Sequence, residues 1–578
     1  SSWRKIFVKV RFCFVSLSEN SEMEKKKRNI IVIGVAIVIV VGAIFLLVNR
    51  KETSESENKA ENSNQVETVE SAEPKEPMEG LLKSLPVLPV PSVYQGCMGS
   101  DAYAVFVESS NASELKGHYL SLCGEMADTV AFAIRIKGTN VRFVSRNVDV
   151  SRQVSKFNKT SREIRGNVRN GFLSHVPFSF RPYEMPVFEC FDTTRYLSPQ
   201  FEVGQMDSIH FANVEGFWTD LDEQTNSTGD MILQLGKTLN ERNLDLYMDV
   251  YYPKADSLEK RPLVMLIHGG AFYYGSRKDI TTKAFCKHLA SLGYVTASID
   301  YRIGFQPSKD GIERAGYCAI QDAHAAMRYL VANQDGFGID TSMLIVGGCS
   351  AGGITALGVT FMTNETRPES TYASNKNDDL GGIETCGNAI DVPFSIKCVA
   401  DMWGAMPSLE MLEGRNVPIV AFHGNMDNIV PYDYDYPFAL AGVIKKALFD
   451  EMSGSSCIVE RAKELGVKAE LYTFEGYKHS PQLTKKALND NYYFIQDTMS
   501  RFFSEVVRPA KPQIKKSNQR YYLDKSAKHV SWQAEGGFIC DCDGKGVKVV
   551  WICNAPQRKL KVAGIQQYGI GFLQELKI

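Results

Sequence analysis

Four short stretches, taken in chain order, carry residue types that could move an acyl group. They are His268-Gly269-Gly270-Ala271-Phe272, Gly348-Cys349-Ser350-Ala351-Gly352, His423-Gly424-Asn425-Met426-Asp427-Asn428-Ile429-Val430-Pro431, and Gly476-Tyr477-Lys478-His479. The second has the form G-x-S-x-G. A serine hydroxyl is a poor nucleophile at neutral pH, so it needs an imidazole to take its proton during attack and a carboxylate to fix that imidazole's tautomer. An ester carbonyl under attack becomes an oxyanion, and each hydrogen-bond donor aimed at that charge is worth roughly 2.7 to 4 kcal/mol. The expected donors are the backbone amides of Gly270, Ala271 and Ala351.

The elements around these stretches suit that chemistry. Met343-Leu344-Ile345-Val346 reads as a buried strand and Ile354-Thr355-Ala356-Leu357 as the start of a helix, which places Ser350 on the sharp turn between them. Pro262-Leu263-Val264-Met265-Leu266-Ile267 is another buried strand, delivering the glycine-rich loop that follows it. With this kind of elbow the order is serine, then acid, then histidine. Of the histidines after Ser350, His423 ends the apolar run Val417–Phe422, precedes the best acid and reads as structural. His529 lies in a separate β-rich tail. His479, on a loop after the strand-like run Lys468–Phe474, is the expected base. Asp427, just past a buried strand, is the expected orienting acid, with Asp391, Asp401, Asp433 and Asp435 as rivals.

At this point the chain resembles the α/β-hydrolase superfamily, and within it carboxylesterases with an HGG-type oxyanion loop, including bacterial esterases that act on decorated polysaccharides. The resemblance spans roughly residues 240 to 505 and includes Leu246–Pro253, Asp300-Tyr301-Arg302 and Ala319-Ile320-Gln321-Asp322-Ala323. It implies an α/β fold with a mostly parallel sheet, helices on both faces and the site at the carboxyl ends of the strands. Tannase-like and some feruloyl esterases are similar in placing a cysteine before the serine, disulfide-bonded to one before the histidine. Here Cys349 is present but Lys478 fills the other place, so that link cannot form.

The segment 363–393, long, polar and rich in glycine and asparagine, reads as a substrate-facing loop. Cys386 and Cys398 are placed to close it by a disulfide, and twelve cysteines follow Met23, an even number that suits an oxidising compartment. Cys540, Cys542 and Cys553 lack a fourth zinc ligand, so no metal is expected, and the chemistry needs no cofactor. A formal net charge of −2 with 44% hydrophobic residues gives no basic face for nucleic acid.

Composition shifts divide the 578 residues. Residues 1–22 read as upstream read-through ahead of Met23. Within 23–50, the nineteen apolar residues 30–48 follow Lys25-Lys26-Lys27-Arg28 and read as a membrane anchor that leaves the catalytic part outside the cytoplasm, a cleaved signal peptide and secretion being the alternative. Residues 51–80 read as a disordered tether. Regions 81–235 and 509–578 read as smaller β-rich parts flanking an α/β-hydrolase domain over 236–508. The partner expected for the site is a small-molecule or carbohydrate-linked ester. A serine peptidase of the same fold and a non-catalytic adhesion protein are the alternatives; the former usually carries a propeller, for which about 155 residues are too few.

Overall fold

The computed structural model describes residues 87–578, apart from 220–240, 439–445 and short breaks at 138–139, 146–147, 154, 159–162, 171–173, 307, 447, 485–486 and 544–545. The expected read-through, anchor and tether lie outside the described residues. Among the described residues no helix is long and apolar enough to cross a membrane.

Arg195–Arg508 make one compact unit, and the described residues up to Thr194 make another with Pro509–Ile578. Two expected boundaries therefore move. The strand Val203–Gly216, expected in a β-rich domain ending at 235, pairs along its length with Arg242–Pro253 inside the larger unit. The tail 509–578, expected to stand apart from 81–235, shares a unit with it: Trp551 and Ile552 pair with Met126 and Ala127, and Phe538 and Val550 share a core with Ala104, Leu120 and Leu122.

The larger unit is built on an eight-stranded sheet. Its strands are β1 (Val203–Gly216), β2 (Arg242–Pro253), β3 (Arg261–Ile267), β4 (Val295–Ile299), β5 (Ile339–Cys349), β6 (Ile396–Met402), β7 (Ile419–Gly424) and β8 (Ala469–Phe474). They lie in the order β1-β2-β4-β3-β5-β6-β7-β8. The β1/β2 and β2/β4 pairs are antiparallel; every pairing from β4 through β3 to β8 is parallel. Central parallel strands are covered on both faces, which is why Pro262–Ile267 of β3 and Leu344–Val346 of β5 read as unbroken apolar runs; β4 alternates Thr296 and Ser298 with Val295, Ala297 and Ile299, yet all five of its residues are buried.

Local chemistry sets the helix ends. In α1 (Ile280–Leu292), Asp279 accepts the Thr282 amide, and Gly293 at φ 112° supplies the left-handed stop. In α2 (Lys309–Ala332), Ser308 accepts the Gly311 amide. The elbow helix α3 (Ala351–Phe361) packs closely on α2, because a Cβ on Gly358 would stand 2.3 Å from Ile320 Cδ1. α4 (Ser455–Glu464) and α5 (Asp490–Val507) complete the helices used below.

The smaller unit holds a nine-stranded sheet with all pairs antiparallel, and its tail strands alternate inward side chains such as Val547, Val549 and Trp551.

The segment 363–393 does not behave as a substrate-facing loop. It folds back onto α2, whose polar side chains bind its carbonyls: Gln321 Nε2 donates to Leu380 O at 2.7 Å, Tyr317 to Gly381 O at 2.7 Å, and Arg328 to Cys386 O at 2.6 Å. Only Pro368 of this stretch lines the cleft described below. The expected Cys386–Cys398 disulfide is not formed. Both are free thiols, Cys386 beside Arg302 Nη2 at 3.3 Å and Cys398 buried on β6.

Candidate active site

Strand register brings the motifs together. Ile267 pairs with Gly348, Cys349 with Met402, Met402 with Phe422, and His423 with Thr473. The carboxyl ends of β3, β5, β6, β7 and β8 therefore form one edge, and the loops leaving them carry Gly270, Ser350, Asp427 and His479 side by side.

Ser350 sits between β5 and α3 with φ 57° and ψ −120°, and its amide is held by Met402 O at 2.8 Å. A non-glycine residue in that region stores of order 1–3 kcal/mol, sustained only if the surroundings fix it. The flanking glycines are required sterically. A Cβ at Gly348 would stand 2.2 Å from Gly352 O, and one at Gly352 would stand 2.1 Å from Ile267 O.

His479 Nε2 lies 2.9 Å from Ser350 Oγ, and its Nδ1 lies 2.7 Å from Asp427 Oδ2. The Asp427 side chain is fully buried, whereas that of His479 keeps 15% of its exposure, enough to face a substrate. Oδ1 of Asp427 also accepts the amides of Ile429 at 2.8 Å and Val430 at 3.2 Å. Burial by itself would raise the Asp427 carboxyl, but the charge of His479 and hydrogen bonds from His423 and His479 overcome it and hold the group well below the usual carboxylate range.

The glycine-rich loop leans on the elbow, since a Cβ on Gly269 would stand 3.3 Å from Ser350 Cβ. Gly270 at φ 119°, Ala271 at φ 53° and Phe272 at φ 57° turn the backbone sharply, and Gly270 O accepts the amides of Tyr273 and Tyr274. Among the described residues, the amides of Gly270, Ala271 and Ala351 have no intramolecular acceptor, which leaves three donors at the mouth of the elbow. Tyr301 pins this loop from behind: its hydroxyl donates to His268 O at 2.9 Å, and its ring stacks on His268 at 4.3 Å.

The rival acids lie elsewhere. Asp391, Asp433 and Asp435 are exposed. Asp401 is buried on β6, its Oδ1 accepting the Gly404 amide at 2.8 Å and its Oδ2 lying 2.6 Å from Ser455 Oγ. Burial pushes its carboxyl up. His423, expected to be structural, touches the site. Its Nε2 is 3.2 Å from Asp427 Oδ2, and its Nδ1 is 2.7 Å from Ser455 Oγ. The readable signal was the i, i+4 spacing of His423 and Asp427 across one strand end.

Ser350 opens into a cleft of about 220 Å³ whose walls include Phe272, Ile320, Leu357, Met406, Phe438 and Phe449. The charged groups on it are Lys309, Glu313, Asp450 and Glu451, and Lys309 Nζ pairs with Asp450 Oδ1 at 2.5 Å. Burial raises the Glu313 carboxyl.

Sheet order, elbow and sequence together make the chain α/β-hydrolase- and carboxylesterase-like. The BD-FAE family model matches residues 248–413. Esterase LipC of Mycobacterium tuberculosis is 36% identical over 206 residues, covering 32% of this chain and 49% of that protein. Gut esterase 1 of Caenorhabditis elegans is 31% identical over 130 residues, covering 22% of each. The non-reducing polyketide synthase pkbA of Emericella nidulans is 36% identical over 123 residues, 21% of this chain and 5% of that one. The chain thus spans half or less of the length of these curated relatives. Among solved structures, Thermogutta terrifontis esterase 2 phosphorylated by paraoxon aligns at 20% identity and a TM-score of 0.32, over 46% of this chain and 90% of that one.

Proposed function

We propose that this chain is a serine carboxylic-ester hydrolase working through an acyl-enzyme on Ser350. The observation that carries the reading is the contact of Ser350 Oγ with His479 Nε2, backed by His479 Nδ1 on a buried Asp427. In this reaction neutral His479 takes the Ser350 proton as Oγ attacks the carbonyl carbon. The oxyanion is met by the amides of Gly270, Ala271 and Ala351. Asp427 stays ionised, holding Nδ1–H and stabilising the imidazolium. His479 then passes its proton to the departing alcohol, and water repeats the sequence to release the acid.

The substrate class follows from the cleft. Apolar walls favour an aliphatic or aryl acyl group, each buried methylene adding about 0.8 kcal/mol, and offer few partners for sugar hydroxyls. Small esters with an apolar acyl part therefore fit better than esters whose carbohydrate part enters the cleft. Residues 30–48 are proposed as the membrane anchor on hydropathy and flanking charge alone, which alkaline extraction of membranes checks. Turnover of p-nitrophenyl esters from acetate to octanoate tests the reading: the rate climbs beyond acetate and is lost in Ser350→Ala. A Ser350→Ala variant that retains full turnover refutes it.

A further inference from the structure

Behind Asp427, on the side away from Ser350, runs a second chain of contacts that the reaction does not use. Asp401 on β6, Ser455 at the start of α4 and His423 on β7 are all completely buried. Asp401 Oδ2 to Ser455 Oγ is 2.6 Å, Ser455 Oγ to His423 Nδ1 is 2.7 Å, and His423 Nε2 to Asp427 Oδ2 is 3.2 Å.

Counting hydrogens fixes how many protons this chain must hold. His423 Nε2 faces two acceptors, Asp427 Oδ2 and Val430 O at 3.3 Å, so it must carry a hydrogen. The two remaining links, Asp401 to Ser455 and Ser455 to His423, share only the one hydroxyl hydrogen of Ser455. An ionised Asp401 beside a neutral imidazole would leave one link as two facing lone pairs in a site without solvent, a costly arrangement. One further proton is required, on Asp401 or on His423 Nδ1, and burial, which pushes the Asp401 carboxyl up, favours the uncharged arrangement over an ion pair spread across Ser455. The other groups packed around the chain supply none: Gly404 N already binds Asp401 Oδ1, Gly353 of α3 only approaches that oxygen, and Tyr432 meets His423 through its ring edge. The charged group the chain meets is Asp427, which in turn holds His479.

We propose that Asp401, Ser455 and His423 form a buried positioning relay that retains this proton on Asp401 at neutral pH. The protonated acid donates to Ser455, Ser455 donates to His423 Nδ1, and His423 is thereby locked as the Nε2–H tautomer, donating to Asp427. His423 is a positioning residue in the proposed hydrolysis, and this role rests on that reading. It shares Asp427 Oδ2 with His479, holds the carboxylate in place, and tempers how strongly Asp427 raises the basicity of His479.

The relay and the hydrolase reading can fail separately. Asp401→Asn mimics the protonated acid: its amide oxygen keeps the Gly404 contact and its NH2 donates to Ser455. In the folded protein Asp401 holds its proton above the pH at which an unfolded carboxyl, near 3.9, releases it. The stabilisation is therefore complete below about pH 4 and is lost as pH rises through the folded value, and the Asn variant lacks this loss. The melting temperature of Asp401→Asn minus that of the full-length wild type is expected to widen steadily from pH 5 to pH 8; a gap that stays constant overturns the relay. In activity, Ser455→Ala frees His423 from its tautomer. It is expected to move the acid limb of kcat/KM upward by about half a pH unit and lower kcat roughly tenfold, while Asp401→Asn leaves that limb in place. Superimposable limbs for Ser455→Ala and wild type also overturn the relay. A wild type without ester turnover at any pH refutes the hydrolase reading instead, and the melting comparison still decides the relay.

Discussion

The strained turn at Ser350 concentrates the account into one side chain. In the proposed reaction Ser350 alone supplies the nucleophile, so Ser350→Ala is expected to lower turnover by roughly 10⁴ to 10⁶ with melting unchanged within a few degrees, measured by initial rates and circular dichroism. Gly352→Ala tests the turn rather than the hydroxyl. Its Cβ has no room beside Ile267 O, so the elbow must shift and activity fall although Ser350 is present. Asp427 makes a pH statement. Its depressed value means that its stabilisation is complete above the unfolded pKa near 3.9 and is lost only as pH falls toward a value far below the usual range. Asp427→Asn should therefore melt below wild type at pH 5 to 7, with the difference closing toward pH 2. The same variant is expected to lose about 10⁴ in kcat, because an amide can hold His479 in the wrong tautomer.

At the scale of elements, the site is a property of strand ends. The carboxyl ends of β3, β5 and β7 were legible in the sequence, because parallel strands buried on both faces leave continuous apolar runs with the chemistry-bearing residues close behind; β8, the edge strand Ala469–Phe474, is only partly buried and reads as a strand from its β-formers instead. Those strands are why Ser350, Asp427 and His479 could be named beforehand and why they lie within hydrogen-bond reach here. His423, expected to be structural, is fully buried, and its contact with Asp427 was hidden because a histidine at the end of a buried strand looks alike whether it fills space or bonds a neighbour; only its spacing to Asp427 hinted at the contact. The segment 363–393 was misread because polar loop composition does not say what the backbone carbonyls bind. The clue lay on α2, where Gln321 and Arg328 sit amid alanines and need buried acceptors. α2 also walls the cleft. Gly316 leaves space beside the Phe272 ring, its Cβ position lying 3.7 Å away. Gly316→Phe is expected to fill the cleft there and to lower kcat/KM for octanoate about tenfold more than for acetate, within the range a pocket contact is worth. Equal losses on both esters would put the acyl group elsewhere.

At the scale of the whole molecule, the chain leaves the smaller unit at Thr194 and re-enters it at Pro509. That re-entry was illegible locally. Pairing such as Trp551 with Met126 joins segments more than four hundred positions apart in sequence and leaves no periodicity in either. Two units with separate cores should melt as two calorimetric transitions, and a covalent phosphonate at Ser350 should raise only the one belonging to Arg195–Arg508. A single transition shifted as a whole would mean that the units unfold together. The central claim is that one serine is activated by His479, and covalent labelling reads that directly. Incubating the full-length protein with an alkyl fluorophosphonate and mapping the adduct by mass spectrometry should place one phosphonyl group on the peptide bearing Ser350, slowed by orders of magnitude in His479→Ala and absent in Ser350→Ala. Stoichiometric labelling at another residue, or undiminished labelling of Ser350→Ala, would contradict it.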